Sequence, residues 1–160
     1  RTFAVGIGYD IHRLVENRPL ILGGVKIPYL KGLAGHSDAD VLIHAVGDAL
    51  LGAAGEGDLG RHFPDTDPQY KGISSLRLLE KVRDRLKAGG FVILNIDTVV
   101  IAQAPRLMPY LDRIRARLAK TIGLEEKAVN IKVKTAEGLD SIGRGESIAA
   151  QAVCALLKEV

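Results

Sequence analysis

The chain has 160 residues, of which 47% are hydrophobic and 26% charged, and its formal net charge is only +3. This length is typical of one domain, which we expect to span residues 1–160, and the scattered basic residues with only 4% aromatic residues argue against a nucleic-acid partner. The single Cys154 excludes an internal disulfide, and no apolar run approaches the roughly 20 residues that cross a bilayer, so we expect a soluble protein in a reducing compartment without a membrane partner.

Extended segments are predicted at the start of the chain, over residues 3–9 and, interrupted by glycines, over residues 20–27. A helix follows from Ser37, its predicted N-cap, because apolar residues between positions 41 and 50 recur at spacings of three and four. Residues 58–72, with two prolines and three aspartates, are predicted to form a long loop. A loop of this length in a compact domain usually carries function.

The second half of the chain alternates helices and strands. Helices are predicted over residues 75–87 and 109–123, and strands over residues 91–102 and 130–136. The alanine-rich residues 147–158 fit either a helix or a buried strand. Strands separated by helices favour an α/β fold, an α+β sandwich in which helices pack on one face of a single mixed sheet of roughly four or five strands.

Asp10 and His12, in the segment GYDIHRL, are the first candidates for chemistry. Positions i and i+2 of an extended chain point to the same side, so these side chains form either a hydrogen-bonded pair at a strand end or part of a metal site. His44 on the predicted helix could supply a further ligand, although a lone helix-surface histidine is commonly paired with carboxylates one turn away. The segment around His44 is dense in hydrogen-bonding and ionisable side chains, which are costly to bury without a ligand.

Two ring nitrogens and a carboxylate oxygen suit zinc, which keeps an open fourth position in catalytic sites; manganese or cobalt would also be tolerated. Asp40 or Asp48, each one helical turn from His44, is expected to accept the second ring proton of a ligand histidine. Other carboxylates would prefer a hard cation such as magnesium that is shared with substrate phosphates. These carboxylates are Asp58, Asp65, Asp67 and Glu137.

The chain resembles the 2-C-methyl-D-erythritol 2,4-cyclodiphosphate synthase family over essentially its whole length. The segments that carry the resemblance are, in order, GYDIHRL, HSDADVLIHAVGDALLGAAGEGDLGRHFPDTDP, IAQAPRLMPY and KTAEGLDSIGRGESIAA. The resemblance implies an α/β homotrimer in which each sheet faces the threefold axis and the active sites lie between subunits. It also implies an enzyme of the non-mevalonate isoprenoid pathway, located in the cytoplasm of a bacterium or in the plastid stroma of a plant or alga.

The implied reaction converts 4-diphosphocytidyl-2-C-methyl-D-erythritol 2-phosphate to 2-C-methyl-D-erythritol 2,4-cyclodiphosphate and CMP. The 2-phosphate of this cytidine diphosphate substrate attacks the β-phosphorus. Such a nucleophile is already ionised, so no activated serine or cysteine is needed. The lack of any Ser-His-Asp or Cys-His arrangement in the sequence agrees with this chemistry.

Roles for individual residues follow from the resemblance. It assigns zinc to Asp10, His12 and His44, and a second cation, magnesium or manganese bridging the phosphates, to Glu137. Stabilisation of the transition state is assigned to His36 and Thr135. Contact with the reacting phosphates is implied for Ser37, and contact with the erythritol part for Asp58, Gly60, Phe63, Pro64, Asp65, Thr66 and Asp67. Contact with cytidine is implied for Ala102, Gln103, Ala104, Pro105, Arg106, Leu107, Met108, Lys134 and Ala136.

One position departs from the commonest family pattern in a way that matters for ligand binding. Ser141 stands where many members carry an aromatic residue that lines a hydrophobic cavity on the threefold axis. An isoprenoid diphosphate can bind there, with Arg144 reaching its phosphates, so Ser141 and Arg144 are further candidate contacts and the polar Ser141 argues against this second site. A salt bridge between Arg144 and Glu146 is an equally good interpretation.

Two other functions would use the same residues. A zinc-dependent phosphoesterase or nucleotide hydrolase would give linear products formed with water. A non-catalytic protein that binds metal and nucleotide, or a trimeric scaffold, would bind zinc and CMP without turnover. Analysis of the products separates these three hypotheses.

Overall fold

The protein is built on one mixed β-sheet, and its structure, a computed structural model, describes residues 1–159. The strands are β1 (Thr2–Glu16), β2 (Leu20–Leu22), β3 (Val25–Ile27), β4 (Lys31–Leu33), β5 (Phe91–Ile101), β6 (Val129–Lys134) and β7 (Ser147–Lys158). The main sheet has five strands in the order β4-β1-β7-β5-β6, in which β5 and β6 are parallel and all other neighbours antiparallel. A separate two-stranded sheet pairs β2 with β3.

Helices pack against this sheet. They are α1 (Val41–Ala53), α2 (Leu59–His62), α3 (Ser75–Ala88), α4 (Leu111–Ile122) and α5 (Asp140–Gly143), with 3-10 turns at Pro68–Tyr70, Met108–Tyr110 and Glu126–Ala128. The apolar helix α1 is buried on most sides because it lies against β1 and β7 and is covered by α3. The prediction of an α/β fold with a mixed sheet is confirmed. None of the helices within residues 1–159 has both the length and the apolar character needed to cross a membrane.

Two predictions about the first strands are wrong in detail. β1 continues to Glu16 because it pairs with β7 over most of its length, so Asp10 and His12 lie within the strand and not at its end. The predicted extended segment 20–27 is a hairpin, since Gly23 and Gly24 adopt positive φ angles of 59° and 76° and turn the chain back.

The region 58–72 is not a continuous loop. It contains α2 and a 3-10 turn, and both begin at an aspartate that accepts a backbone N–H: Asp58 from Arg61 and Asp67 from Gln69. Asp58 and Asp67, which the sequence placed in a loop as candidate cation ligands, therefore also cap short helical segments. The ambiguous residues 147–158 form β7, which lies between β1 and β5 in the sheet and packs Ala150 and Ala152 into the core beneath α1.

Glycines in β1 allow α1 to lie directly on the sheet. A Cβ atom added at Gly8 would lie 1.9 Å from the carbonyl oxygen of Ala45, and a Cβ atom at Gly6 would be equally close to α1. No side chain fits at such a distance, so only glycine permits this close approach. The approach of α1 to β1 is also what brings Asp10 beside His44.

Gly8→Ala is expected to destabilise the fold by about 1–3 kcal/mol, because the added methyl group must push α1 away from β1. The free energy of unfolding in urea measures this effect. Gly52→Ala is the matched control: Gly52 lies in α1, is exposed, and a Cβ there would have its nearest neighbour at 3.8 Å. This control should be neutral or stabilising by about 0.5–1 kcal/mol. Equal losses in the two variants would contradict the close-packing argument.

The face of β1 that points away from α1 is apolar and exposed. Alternate positions along the strand carry large side chains, and neighbouring strands extend the patch. Its members are Phe3, Val5, Ile7, Tyr9 and Ile11 from β1, Val92 and Leu94 from β5, and Val153 from β7. A contiguous apolar surface of this kind marks an interaction site on a protein.

Candidate active site

Three side chains meet where β1 passes α1. Asp10 Oδ2 lies 2.8 Å from His12 Nε2 and 3.0 Å from His44 Nδ1, and the two ring nitrogens are 3.2 Å apart. Asp10 and His12 point together toward α1 because residues i and i+2 of a strand share a face. His44 lies in the first turns of α1 and faces them. The fold thus brings together the group that local spacing could only partly predict.

This donor set fits a divalent cation. The three ligand atoms all lie within 4.8 Å of one another, and ligand atoms in a tetrahedral zinc site with bonds near 2.0–2.1 Å are about 3.3 Å apart. The remaining ring nitrogens have partners of their own, because His12 Nδ1 donates to the carbonyl oxygen of Ala34 at 2.8 Å and His44 Nε2 lies 3.0 Å from Ser75 Oγ. Each histidine therefore presents one nitrogen to the cluster.

The carboxylates predicted to orient these histidines, Asp40 and Asp48, form hydrogen bonds with the backbone instead. Asp40 is fully buried, and its carboxylate accepts three backbone N–H groups, two of them from Gly23 and Gly24 in the β2–β3 turn. Asp48 accepts the N–H of Leu59 at 2.8 Å. The prediction that Asp40 or Asp48 accepts the second ring proton of a ligand histidine is therefore wrong. Both carboxylates instead accept backbone N–H groups, which would be costly to bury without a partner.

Ser37 is not the N-cap of α1. That position belongs to Asp40, whose carboxylate accepts the N–H of Ile43, and the helix begins at Val41. The Ser37 hydroxyl instead accepts the N–H of Ala39 at 3.2 Å and lies 3.3 Å from His44 Nε2. Ser37 thus belongs to the surroundings of the cluster and not to the start of the helix.

Hydrogen bonding and charge attraction shift the pKa values of two members of the cluster, Asp10 and His12. Burial alone would raise the pKa of Asp10, but hydrogen bonds and charge attraction from both histidines outweigh burial and lower this pKa to about 2. Burial alone would lower the pKa of His12, but its hydrogen bond to Asp10 and the charge of that carboxylate raise it above 6.5. Asp10 is therefore an anion at physiological pH, as a cation ligand must be.

The cluster lies on the wall of a cavity of about 470 Å³. Other predicted site residues on this wall are His36, Ser37, Asp58, Gly60, Phe63, Pro64 and Asp65. Leu59, Tyr70 and Leu78 also line the cavity. The sequence did not reveal them, because hydrophobic and aromatic residues that line a cavity cannot be distinguished by sequence from those that fill the core. Thr66 and Asp67 are not among the lining residues, but the Asp67 carbonyl oxygen accepts a hydrogen bond from His36 Nε2 at 3.0 Å.

A second, smaller cavity of about 130 Å³ collects the residues predicted to contact cytidine. Its lining residues are Ala102, Gln103, Pro105, Arg106, Leu107, Met108, Val133, Lys134 and Thr135. Ala104 and Ala136 are not among them, and Val133 was not predicted. The two predicted halves of the site therefore form separate cavities in the single chain.

Glu137, Ser141 and Arg144 line neither cavity. The backbone N–H of Glu137 donates to Thr135 Oγ1 at 3.2 Å. Ser141 Oγ lies 2.9 Å from a neighbouring serine hydroxyl, and Arg144 forms the alternative salt bridge with Glu146 at 3.1 Å.

Comparison with known proteins gives a consistent result. The sequence model of the YgbB family matches residues 3–157. A relative from Agathobacter rectalis, named 2-C-methyl-D-erythritol 2,4-cyclodiphosphate synthase, is 60% identical over 152 residues, which make up 95% of this chain and 86% of the relative. This relative and the family model agree over nearly the whole chain.

Two solved structures resemble the fold closely. The bifunctional IspDF from Campylobacter jejuni has a TM-score of 0.95 and 42% identity over 99% of this chain, which spans 43% of that longer protein. A 2C-methyl-D-erythritol-2,4-cyclodiphosphate synthase solved in a CDP-bound form has a TM-score of 0.88 and 37% identity, covering 96% of this chain and 99% of that one. By sequence and by structure, the chain belongs to the YgbB family.

Proposed function

We propose that the protein converts 4-diphosphocytidyl-2-C-methyl-D-erythritol 2-phosphate to 2-C-methyl-D-erythritol 2,4-cyclodiphosphate and CMP, in the non-mevalonate isoprenoid pathway. The observation that carries the proposal is the cluster of Asp10, His12 and His44 on the wall of a cavity large enough for a small phosphorylated molecule. The relative named for this reaction supports it. The bacterial relatives also favour a cytoplasmic location, which we include in the proposal.

A divalent cation is part of the proposal. Asp10 Oδ2, His12 Nε2 and His44 Nδ1 would hold zinc, with manganese or cobalt as substitutes, and a bound cation would withdraw charge from a diphosphate oxygen. Glu137 would hold a second cation, magnesium or manganese, since exposed carboxylate oxygens suit hard ions that are shared with phosphates.

The chain's own residues would mainly bind and orient the substrate. The attacking 2-phosphate is already ionised, so the protein needs no nucleophile of its own. Orientation of this internal nucleophile can contribute on the order of 7 kcal/mol to lowering the barrier. His36 and Thr135, one on the wall of each cavity, would donate to the developing negative charge. The hydrogen bond from His36 to the carbonyl oxygen of Asp67 joins His36 to the segment 63–67.

The other predicted contacts divide between the two cavities. The larger would hold the erythritol and phosphate parts, with Asp58, Gly60 and the segment 63–67, and the smaller would hold cytidine, as the CDP-bound relative suggests. Ser141 and Arg144 would have to exchange their present hydrogen-bonding partners to contact a ligand.

A homotrimer with active sites between subunits is also proposed. The two cavities are separate in one chain, and in the proposed trimer the substrate would bridge one cavity of one subunit and the other cavity of its neighbour. The exposed apolar face of the sheet supplies a surface that such an assembly would bury.

Product analysis tests the function directly. Purified protein with zinc, magnesium and the cytidylated substrate should release CMP together with a cyclic diphosphate in equal amounts. Linear products that incorporate oxygen from ¹⁸O-labelled water would instead identify a phosphoesterase or nucleotide hydrolase. Binding of zinc and CMP without any turnover would identify a non-catalytic binding protein or scaffold.

A further inference from the structure

A line of polar contacts runs from His44 away from the cation cluster and into the interior. His44 Nε2 lies 3.0 Å from Ser75 Oγ, and Ser75 Oγ is hydrogen-bonded in turn to Asp38 Oδ1. The second oxygen of Asp38 accepts the backbone N–H of Ser75 at 3.0 Å. Asp38 therefore holds Ser75 by both its main chain and its side chain. The nitrogen of His44 on the opposite edge of the ring is the one that faces Asp10.

The directions of these hydrogen bonds follow from the donors available. The Asp38 carboxylate can only accept, and it also accepts the N–H of Asp40 at 3.2 Å. The one hydrogen of the Ser75 hydroxyl must then point to Asp38, so Ser75 Oγ can only accept from the ring of His44. His44 Nε2 consequently carries a proton, which leaves Nδ1 as the ring nitrogen available to bind a cation.

Few alternatives are open to the His44 ring at this place. Ser75 is fully buried, so water does not compete for its hydroxyl. The Ser37 hydroxyl, which accepts the N–H of Ala39, lies 3.3 Å from His44 Nε2 and is the more distant of the two hydroxyl groups on this side. A ring with its proton only on Nδ1 would donate to Asp10 and so place that proton where a cation would bind.

We propose that Asp38 and Ser75 are positioning residues that hold His44 in the tautomer with the proton on Nε2, and thereby set the affinity of the cluster for zinc. The inference rests on the metal-binding part of the proposed function. Partners behind a ligand histidine fix its ring orientation and tautomer, and their loss commonly lowers metal affinity about 10–100-fold. For His12, the corresponding partner is the backbone carbonyl oxygen of Ala34, which a side-chain substitution does not remove.

The test compares two adjacent serines. Ser75→Ala removes the acceptor for His44, whereas Ser74→Ala is the matched control, because Ser74 is the N-cap of α3 but its side chain makes no capping hydrogen bond. Zinc affinity is measured by competition with a chromogenic chelator. We expect about a 10–100-fold loss for Ser75→Ala and no more than a twofold change for Ser74→Ala.

A spectroscopic measurement separates positioning from a general loss of structure. In zinc-loaded, ¹⁵N-histidine-labelled protein, the slowly exchanging Nε2–H signal of His44 should disappear in Ser75→Ala, while the Nδ1–H signal of His12 stays as an internal reference. Asp38→Asn is the second variant, should Ser75→Ala fail to fold. An amide that donates to Ser75 would reverse the hydrogen bond to His44, so its zinc affinity should fall similarly.

Two outcomes would overturn the inference, and they differ in what else they overturn. Unchanged zinc affinity with a retained His44 Nε2–H signal in Ser75→Ala would remove the role of Asp38 and Ser75 and leave the proposed function intact. No zinc binding by the unsubstituted chain would overturn the metal site itself, and the positioning role with it.

Discussion

His44→Ala is expected to abolish turnover while leaving the protein folded. The substitution removes one of the three cluster atoms, and the remaining Asp10 and His12 hold a cation much less tightly. Loss of the cation removes several kcal/mol of charge stabilisation in the transition state, so the rate of CMP release should fall roughly 10³-fold or more. Rate assays, elemental analysis for zinc and urea unfolding on the same preparation measure the three consequences.

His62→Ala is the control for removing an imidazole. His62 lies in α2, donates to the carbonyl oxygen of Glu56 at 2.7 Å and does not line the larger cavity. This variant should retain zinc and most of the turnover. A His44→Ala protein that keeps full zinc occupancy, or loses less than tenfold in rate, would contradict the assigned cluster. If the unsubstituted protein shows no turnover and His44→Ala changes only its stability, the result would favour the hypothesis of a non-catalytic binding protein.

Ile7→Glu is expected to break the proposed trimer and to remove activity with it. Ile7 is 64% exposed at the middle of the apolar face of β1, where a trimer would bury it. Burying a carboxylate without a partner is far more costly than the about 1.5–3 kcal/mol gained from a buried apolar side chain. Sedimentation equilibrium should show a change from three chains to one, and turnover should fall roughly 100-fold or more if each site needs two subunits.

Leu30→Glu is the matched control for this change. Leu30 is 71% exposed in the connection between β3 and β4, outside the three strands that form the apolar face. The same introduced charge at Leu30 should leave both the mass in solution and the rate unchanged. A monomeric Ile7→Glu protein with full activity would show that one chain holds a complete site. A trimer that survives Ile7→Glu would place the subunit contacts on another surface.

Local patterns were sufficient for much of the fold and for the cluster. Apolar periodicity located α1 and β6 to within a few residues, β-branched composition located β5, and serine, proline and glycine signals located the ends of α3 and α4. Spacing and the density of ionisable groups singled out Asp10, His12 and His44, since such residues are costly to bury without a reason. The family resemblance then supplied further candidate contacts, of which the two cavities gather a part.

The sequence by itself determined which residues are candidates for the chemistry, whereas only the tertiary structure decided which neighbours hold them. Ser75 resembled an ordinary helix start, yet it lies beside His44 across 31 positions of the chain. Asp40 resembled a partner for that histidine, yet it is buried against the turn at Gly23 and Gly24. The preference of a segment for helix or strand depends on residues a few positions apart in the sequence. The hydrogen-bond partner of a buried polar group, in contrast, depends on which segments pack against it, and here those segments are distant in the chain.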